Sequence, residues 1–204
     1  MNTSAHTGAI TGPRSIDDPP FARFLFSDVT VMPWVWLVVR VYLAYQWLEA
    51  GIGKLGSPAW IGAHAGAAIV GFAKRGLAET QGAHPDVTGW YAVFLRDVVI
   101  PNAGWLSPII VYGEIAVGLG LLLGGLTGIA AFFGITMNLS YLLGGTLSIN
   151  PVLAILGMLI VLAWKNAGWI GLDRWLLPAL GTPWQPGAIA LERQREHGGM
   201  AGVT

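Results

Sequence analysis

The chain has 204 residues, of which 54% are hydrophobic and 11% charged, and its mean hydropathy is +0.60. A soluble domain carries about 25% charged residues, so the composition argues against a water-soluble globule and for one integral membrane domain. Eleven basic and eleven acidic residues cancel, which removes any electrostatic case for nucleic acid; with no cysteine, the chain itself offers no thiol nucleophile, disulfide exchange or Fe–S ligation.

Residues 1–32 hold Asp17, Asp18, Pro19 and Pro20 and no apolar run of signal-peptide length. They read as a disordered arm that ends in an interfacial piece, FARFLFSDV. The pattern then predicts four membrane helices, at about 33–55, 108–123, 127–143 and 151–169. The first opens on Pro33, the second on Ser107-Pro108, and the fourth on Asn150-Pro151. Residues 56–107 are too long and too aromatic for a plain linker. They are expected to form a helical cap over one end of the bundle, with a Gly/Ala-rich helix near 59–73 ended by Lys74-Arg75-Gly76. An amphipathic helix in TGWYAVFLRDVVIP follows. Trp169, Asp173-Arg174 and Trp175 are expected at the opposite end, and residues 179–204 form a polar tail. The expected fold class is therefore all-α: an integral membrane four-helix bundle spanning 33–178, with an interfacial cap at 56–107. A modest excess of Lys and Arg on the terminal side predicts a multi-pass cell-membrane protein with cytoplasmic termini.

The first helix carries Arg40, Gln46, Glu49 and Lys54. A charge in hydrocarbon costs about 2.5–3.5 kcal/mol, so such residues face protein, a watery cavity or an interface. Glu49 lies six residues before the end of that helix, about 9 Å, and Glu114 lies six residues into the next, at the same end of the bundle. Asn138 reaches the same level on the third helix. Lys54, Tyr112 and Asn150 fall nearer the surface, with Gln46 and Tyr141 close by. The expected site is thus Glu49 and Glu114 as proton-carrying carboxylates, with Arg40, Gln46, Trp47, Lys54, Asn138 and Tyr141 binding a ligand. Each has a plainer alternative. Lys54 can pair with Glu49 or snorkel, Glu114 can bond a neighbouring helix, and Asn138 can be interhelical glue. Arg40 has no acid at its depth in the other helices; it snorkels inward or awaits an anion or a carbonyl oxygen. Trp34 and Trp36 read as interfacial belt residues. Ala116, Gly120, Gly124 and Gly128 recur every four residues and read as a close helix-contact face. His64 and His84 are too isolated for a metal signature, and none of the four histidines lies in a strongly apolar span, which speaks against haem.

Four stretches, RVYLAYQWLEAGIGKL, YGEIAVGLGLLLGGLTGIAAFFG, MNLSYLLGGTLSINP and AWKNAGWIGLDRWLLP, resemble the DoxX/DoxD family of four-helix membrane proteins. The match is best to the DoxD-like branch, the larger subunit of thiosulfate:quinone oxidoreductase, whose long segment between the first two helices resembles 56–107. The resemblance implies electron delivery to the quinone pool and a second, smaller membrane subunit as partner, besides the lipid bilayer. It assigns no catalytic residues. Under that reading quinone is the acceptor, no haem, Fe–S or metal is expected in this chain, and Lys54 with Arg75 or Arg96 supplies an anion site. The alternative is a non-catalytic membrane scaffold for soluble redox or oxidative-stress proteins. A transporter is the weakest reading, since no inverted repeat is evident.

Overall fold

The computed structural model describes residues 18–81 and 83–181. These form eight α-helices and one π-helical turn, with no strand among them. The short α1 (Pro20–Ser27) leads into α2 (Met32–Leu55). The segment after α2 contains α3 (Ala67–Ala78), α4 (Gly89–Phe94) and the π turn Leu95–Val99. Then come α5 (Ala103–Leu123), α6 (Thr127–Leu143), α7 (Asn150–Leu162) and α8 (Asp173–Ala179). The four longest helices close a ring: α2 packs on α5, α5 on α6, α6 on α7, and α7 back on α2. Among the described residues, α5 alone is long and apolar enough to cross a membrane by itself, and α1 with α2, bent by 54°, meets that criterion as a pair.

The corner between α1 and α2 is held by Asp28. Its carboxylate accepts hydrogen bonds from the Thr30 hydroxyl at 2.7 Å and from the Val31 and Met32 amides at 2.7 and 3.0 Å. The Thr30 hydroxyl, with the Met32 and Val31 amides, holds that carboxyl down at about 2. Such bonds satisfy the donors that a helix start leaves unpaired. The two tryptophans of the first turn part company. Trp34 is exposed, whereas Trp36 is buried, stacks on Phe26 and donates its indole N–H to the Leu25 carbonyl at 3.0 Å.

Three expected boundaries move. α5 begins at Ala103, so Pro108 sits inside the helix, and buried Ser107 donates to the Trp60 carbonyl at 2.8 Å. α3 begins later than expected, at Ala67, and runs past Lys74-Arg75-Gly76. Gly66, at φ +99, packs against the backbone of Ala103 and Gly104, an approach and a conformation that a side chain would bar. α7 ends at Leu162 and turns follow to residue 172. Buried Asn166 supports that break, donating to the Leu25 and Asp28 carbonyls at 3.1 and 2.7 Å. The small-residue stripe is not one helix face, because Gly124, at φ +64, ends α5 and Gly128 belongs to α6. Close contact of α2 with α5 instead uses Gly51 and Gly118. A Cβ on these would stand 2.7 Å from Ile115 and 2.6 Å from Leu48. The arm before residue 18 and the tail beyond 181 lie outside the described residues.

Arg40 and Asp173 tie the other end of the bundle together. Arg40 is 1% exposed and donates to the carbonyls of Ala167 at 3.3 Å and Ile170 at 2.6 Å. Asp173 accepts from the Leu126 and Thr127 amides at 2.6 and 2.9 Å, thereby capping α6 from α8. Those bonds hold Leu126 at φ +49, in the left-handed region that a branched apolar residue avoids. Asp173→Ala leaves the Leu126 and Thr127 amides unpaired and removes an acid near Arg40. It is expected to cost about 2–6 kcal/mol, about 1–3 for each stranded donor, read as a fall in the thermal midpoint of the purified protein, and Asp173→Asn less. An unchanged midpoint would contradict the capping role.

Candidate functional site

The buried charges of the opposite end meet at one point. Lys54, in the last turn of α2, donates its Nζ to both carboxylate oxygens of Glu114 on α5 at 2.5 Å. The Tyr141 hydroxyl, from α6, donates to Oε1 of the same carboxylate at 2.7 Å. Glu114 is 1% exposed. Lys54 also stands over the Trp60 ring, 4.9 Å from its centroid, a cation–π contact that favours the charged amine. A carboxylate buried this deeply is tolerable because an ammonium and a hydroxyl take up its lone pairs.

Two cavities flank this cluster. One, about 730 Å³, lies between the segment 59–99 and the ends of α5 and α6. Its wall is mainly apolar (Trp60, Phe72, Leu95, Leu106, Ile110), with Lys54, Arg75, Tyr141, Ser140 and Thr146 among its polar groups and no carboxylate. Tyr91, in the same wall, donates its hydroxyl to the Ser140 carbonyl at 2.7 Å, and burial pushes that hydroxyl above its ordinary range. A cavity of 300–1,000 Å³ with a few convergent polar groups is the size of a small-molecule site. The other, about 260 Å³, opens between α2 and α7 and is richer in polar side chains; Gln46, Glu49, Asn138 and Asn150 line it beside Trp47, Ala50, Ile149 and Leu153. Lys54 and Tyr141 border both cavities, and Glu114 borders the second.

The structure therefore brings together seven of the eight expected site residues. Glu114, Lys54 and Tyr141 are in direct contact, while Gln46, Trp47, Glu49 and Asn138 line the polar pocket beside them. Glu49 is exposed at its rim, and the alternative pairing of Glu49 with Lys54 does not form, since Lys54 reaches across to Glu114. Trp47 is buried against Gly134 of α6. Asn138 is 1% exposed, and neither its Oδ1 nor its Nδ2 has a hydrogen-bond partner among the described residues.

Arg40 is the exception. It lies fourteen residues from Lys54 on α2, about 21 Å along the helix, and belongs to the Asp173 end. Sequence reading found no acid at its depth because it compared the four spans alone, and Asp173 folds back from beyond them. Arg96 also leaves the expected anion site. It bonds its neighbour Asp97 at 2.7 and 2.9 Å on the exposed surface, and those bonds hold the Asp97 carboxyl below its ordinary range. Arg75 remains with Lys54. The role of Trp60 was missed, although its position six residues after Lys54 in a short turn was a usable signal. No group of three or more His, Asp or Glu residues is placed to hold a metal ion among the described residues.

A double-mutant cycle tests the cluster. Lys54→Met leaves the buried Glu114 carboxylate without its cation and is expected to cost about 3–5 kcal/mol; Glu114→Leu leaves a half-buried ammonium that can reach water and is expected to cost less. The double variant is expected to recover most of the Lys54→Met loss, and Tyr141→Phe to cost about 1.5–3 kcal/mol. Additive losses in thermal or denaturant unfolding would show that the pair is not coupled.

Comparison of the chain with protein-family models, with curated proteins and with solved structures returned no match.

Proposed function

We propose that this chain is an integral membrane four-helix bundle that binds a quinone beneath its cap and passes electrons to it from thiosulfate or a related sulfur compound. Support for membrane insertion comes from an inverted distribution of side chains. Ile129, Phe132 and Phe133 of α6 and Ile155, Met158 and Leu162 of α7 are all more than half exposed, while Arg40, Glu114, Asn138 and Asp173 are buried. An apolar outer surface of that extent needs lipid around it. α6 and α7 have 17 and 13 residues against the roughly 20 of a full span; the turns that continue from α7 lengthen that side of the bundle. On this reading the protein is multi-pass in the cell membrane with cytoplasmic termini, and the cap faces outward.

One observation carries the quinone reading: Lys54 and Tyr141, both bonded to Glu114 behind them, give a mainly apolar cavity a polar end. A quinone needs such a pairing of properties. Its ring and tail favour apolar walls, and its carbonyl oxygens need donors; the Lys54 ammonium has three N–H groups, of which two go to Glu114 and the third can serve a quinone oxygen. Two thiosulfate ions and one quinone, with two protons, give one tetrathionate and one quinol. The sulfur compound loses two electrons, the quinone gains them, and Glu114 is the carboxylate placed to relay the protons. Arg75 with Lys54 in an acid-free cavity wall suits an anionic donor. The DoxD-like resemblance points the same way and adds a second, smaller membrane subunit.

The scaffold reading draws on a different aspect of the cluster. Glu114 is fully paired, which suits a clamp joining α2, α5 and α6. That reading predicts no quinone binding and recovery of soluble redox proteins with the purified chain. The discriminating experiment is thiosulfate-dependent quinone reduction by membranes containing this protein, repeated with a candidate small subunit. The enzyme reading predicts activity that Glu114→Gln lowers by at least tenfold. Activity that survives replacement of both Glu49 and Glu114 by Gln would remove the carboxylates from the mechanism, and its absence throughout would favour the scaffold.

A further inference from the structure

The polar pocket behind the ion pair is unlike the cavity in front of it. Asn138 closes its inner end with a side-chain amide that is 1% exposed and unpartnered at both Oδ1 and Nδ2. An amide in that state carries the full desolvation penalty unless something polar occupies the pocket. Gln46 and Asn150 add further polar groups, and exposed Glu49 stands at the rim. Two carboxylates, Glu49 and Glu114, face one ammonium, Lys54, so the formal charge of the lining is −1. That balance disfavours an anionic substrate. The volume of about 260 Å³ suits several water molecules, each taking about 30 Å³.

We propose that this pocket is a water-filled proton inlet that reaches Glu114 from between α2 and α7. Glu49 draws protons from solvent at the rim. Asn138, which both donates and accepts, is a positioning residue that holds water beside the buried carboxylate. Lys54 gives a proton to a reduced quinone oxygen, and Glu114, reprotonated through the water, returns one to the Lys54 amine. Two protons enter for each quinone reduced and end on its two oxygens, while the two electrons come from the sulfur donor. The proton role rests on the quinone reading; the hydration of the pocket does not.

The chain contains no cysteine, so single thiols report without background. Asn138→Cys and Asn150→Cys in the full chain, reconstituted in liposomes, are treated with a cationic and an anionic methanethiosulfonate. Ile129→Cys, on the apolar outer face, is the control. Both pocket thiols are expected to react, the cationic reagent at least tenfold faster, and the control to stay unmodified. Reaction at Asn150→Cys with none at Asn138→Cys would overturn a wet inlet. A faster anionic reagent would overturn its charge. Should Asn138→Cys fail to fold, modified Asn150→Cys decides the matter: plugging the mouth is expected to lower kcat for quinone reduction at least tenfold with KM for quinone unchanged. Undiminished kcat would overturn the inlet. Asn138→Leu is expected to show the same split, and Asn138→Ser to restore most of the rate. If the unmodified protein reduces no quinone, the preceding reading and the proton role fall together, and thiol labelling alone decides whether the pocket holds water.

Discussion

Everything near the cap depends on neutralising one buried carboxylate. Glu114 sits inside the helix ring, where an unpaired charge is intolerable, and its partners come from two other helices. Lys54 must therefore end α2 at one height, and Tyr141 must bring the last turn of α6 alongside. The same requirement places Trp60 over the ammonium and so turns the chain leaving α2 back across the bundle end. The cavity beneath the cap follows from this turn. The chain that closes over the lysine must cross the gap between α5 and α6, and its apolar side chains line that gap without filling it.

The two ends of the bundle solve the same problem differently. At the Arg40 end the charge is met by two backbone carbonyls and by Asp173 nearby, which are ties between segments. The cavity of about 360 Å³ that Asp173 borders there is lined mostly by apolar side chains. At the Glu114 end Lys54 and Tyr141 border a cavity on each side, and Glu114 borders the smaller one. Polar side chains shared by two cavities can meet a ligand on one side and water on the other, and this is why the functional proposals attach to the Glu114 cluster.

Much of the candidate site was legible because helix rise converts sequence position into depth. Glu49, Glu114 and Asn138 were placed at one level from spacing alone, and they border one pocket. The bounds of α6 were also readable, since the expected helix at 127–143, set off by Gly124-Gly125, is the one observed. Three things were not readable. Depth says nothing of rotation, so Lys54 could not be assigned to Glu114 over Glu49. Arg40 took its acid from a segment beyond the last span, a contact that no periodicity encodes. α7 breaks early because the Asn166 side chain bonds backbone near the N-terminal helix, a tertiary choice that overrides an apolar pattern.

Photo-crosslinking the purified protein with an azidoquinone and mapping the adduct decides whether Lys54 and Tyr141 face a quinone site. Saturable labelling, competed by unmodified quinone, is expected on peptides that carry Trp60, Phe72 or Tyr141. Unsaturable labelling, or labelling confined to the outer faces of α5 and α6, would contradict it.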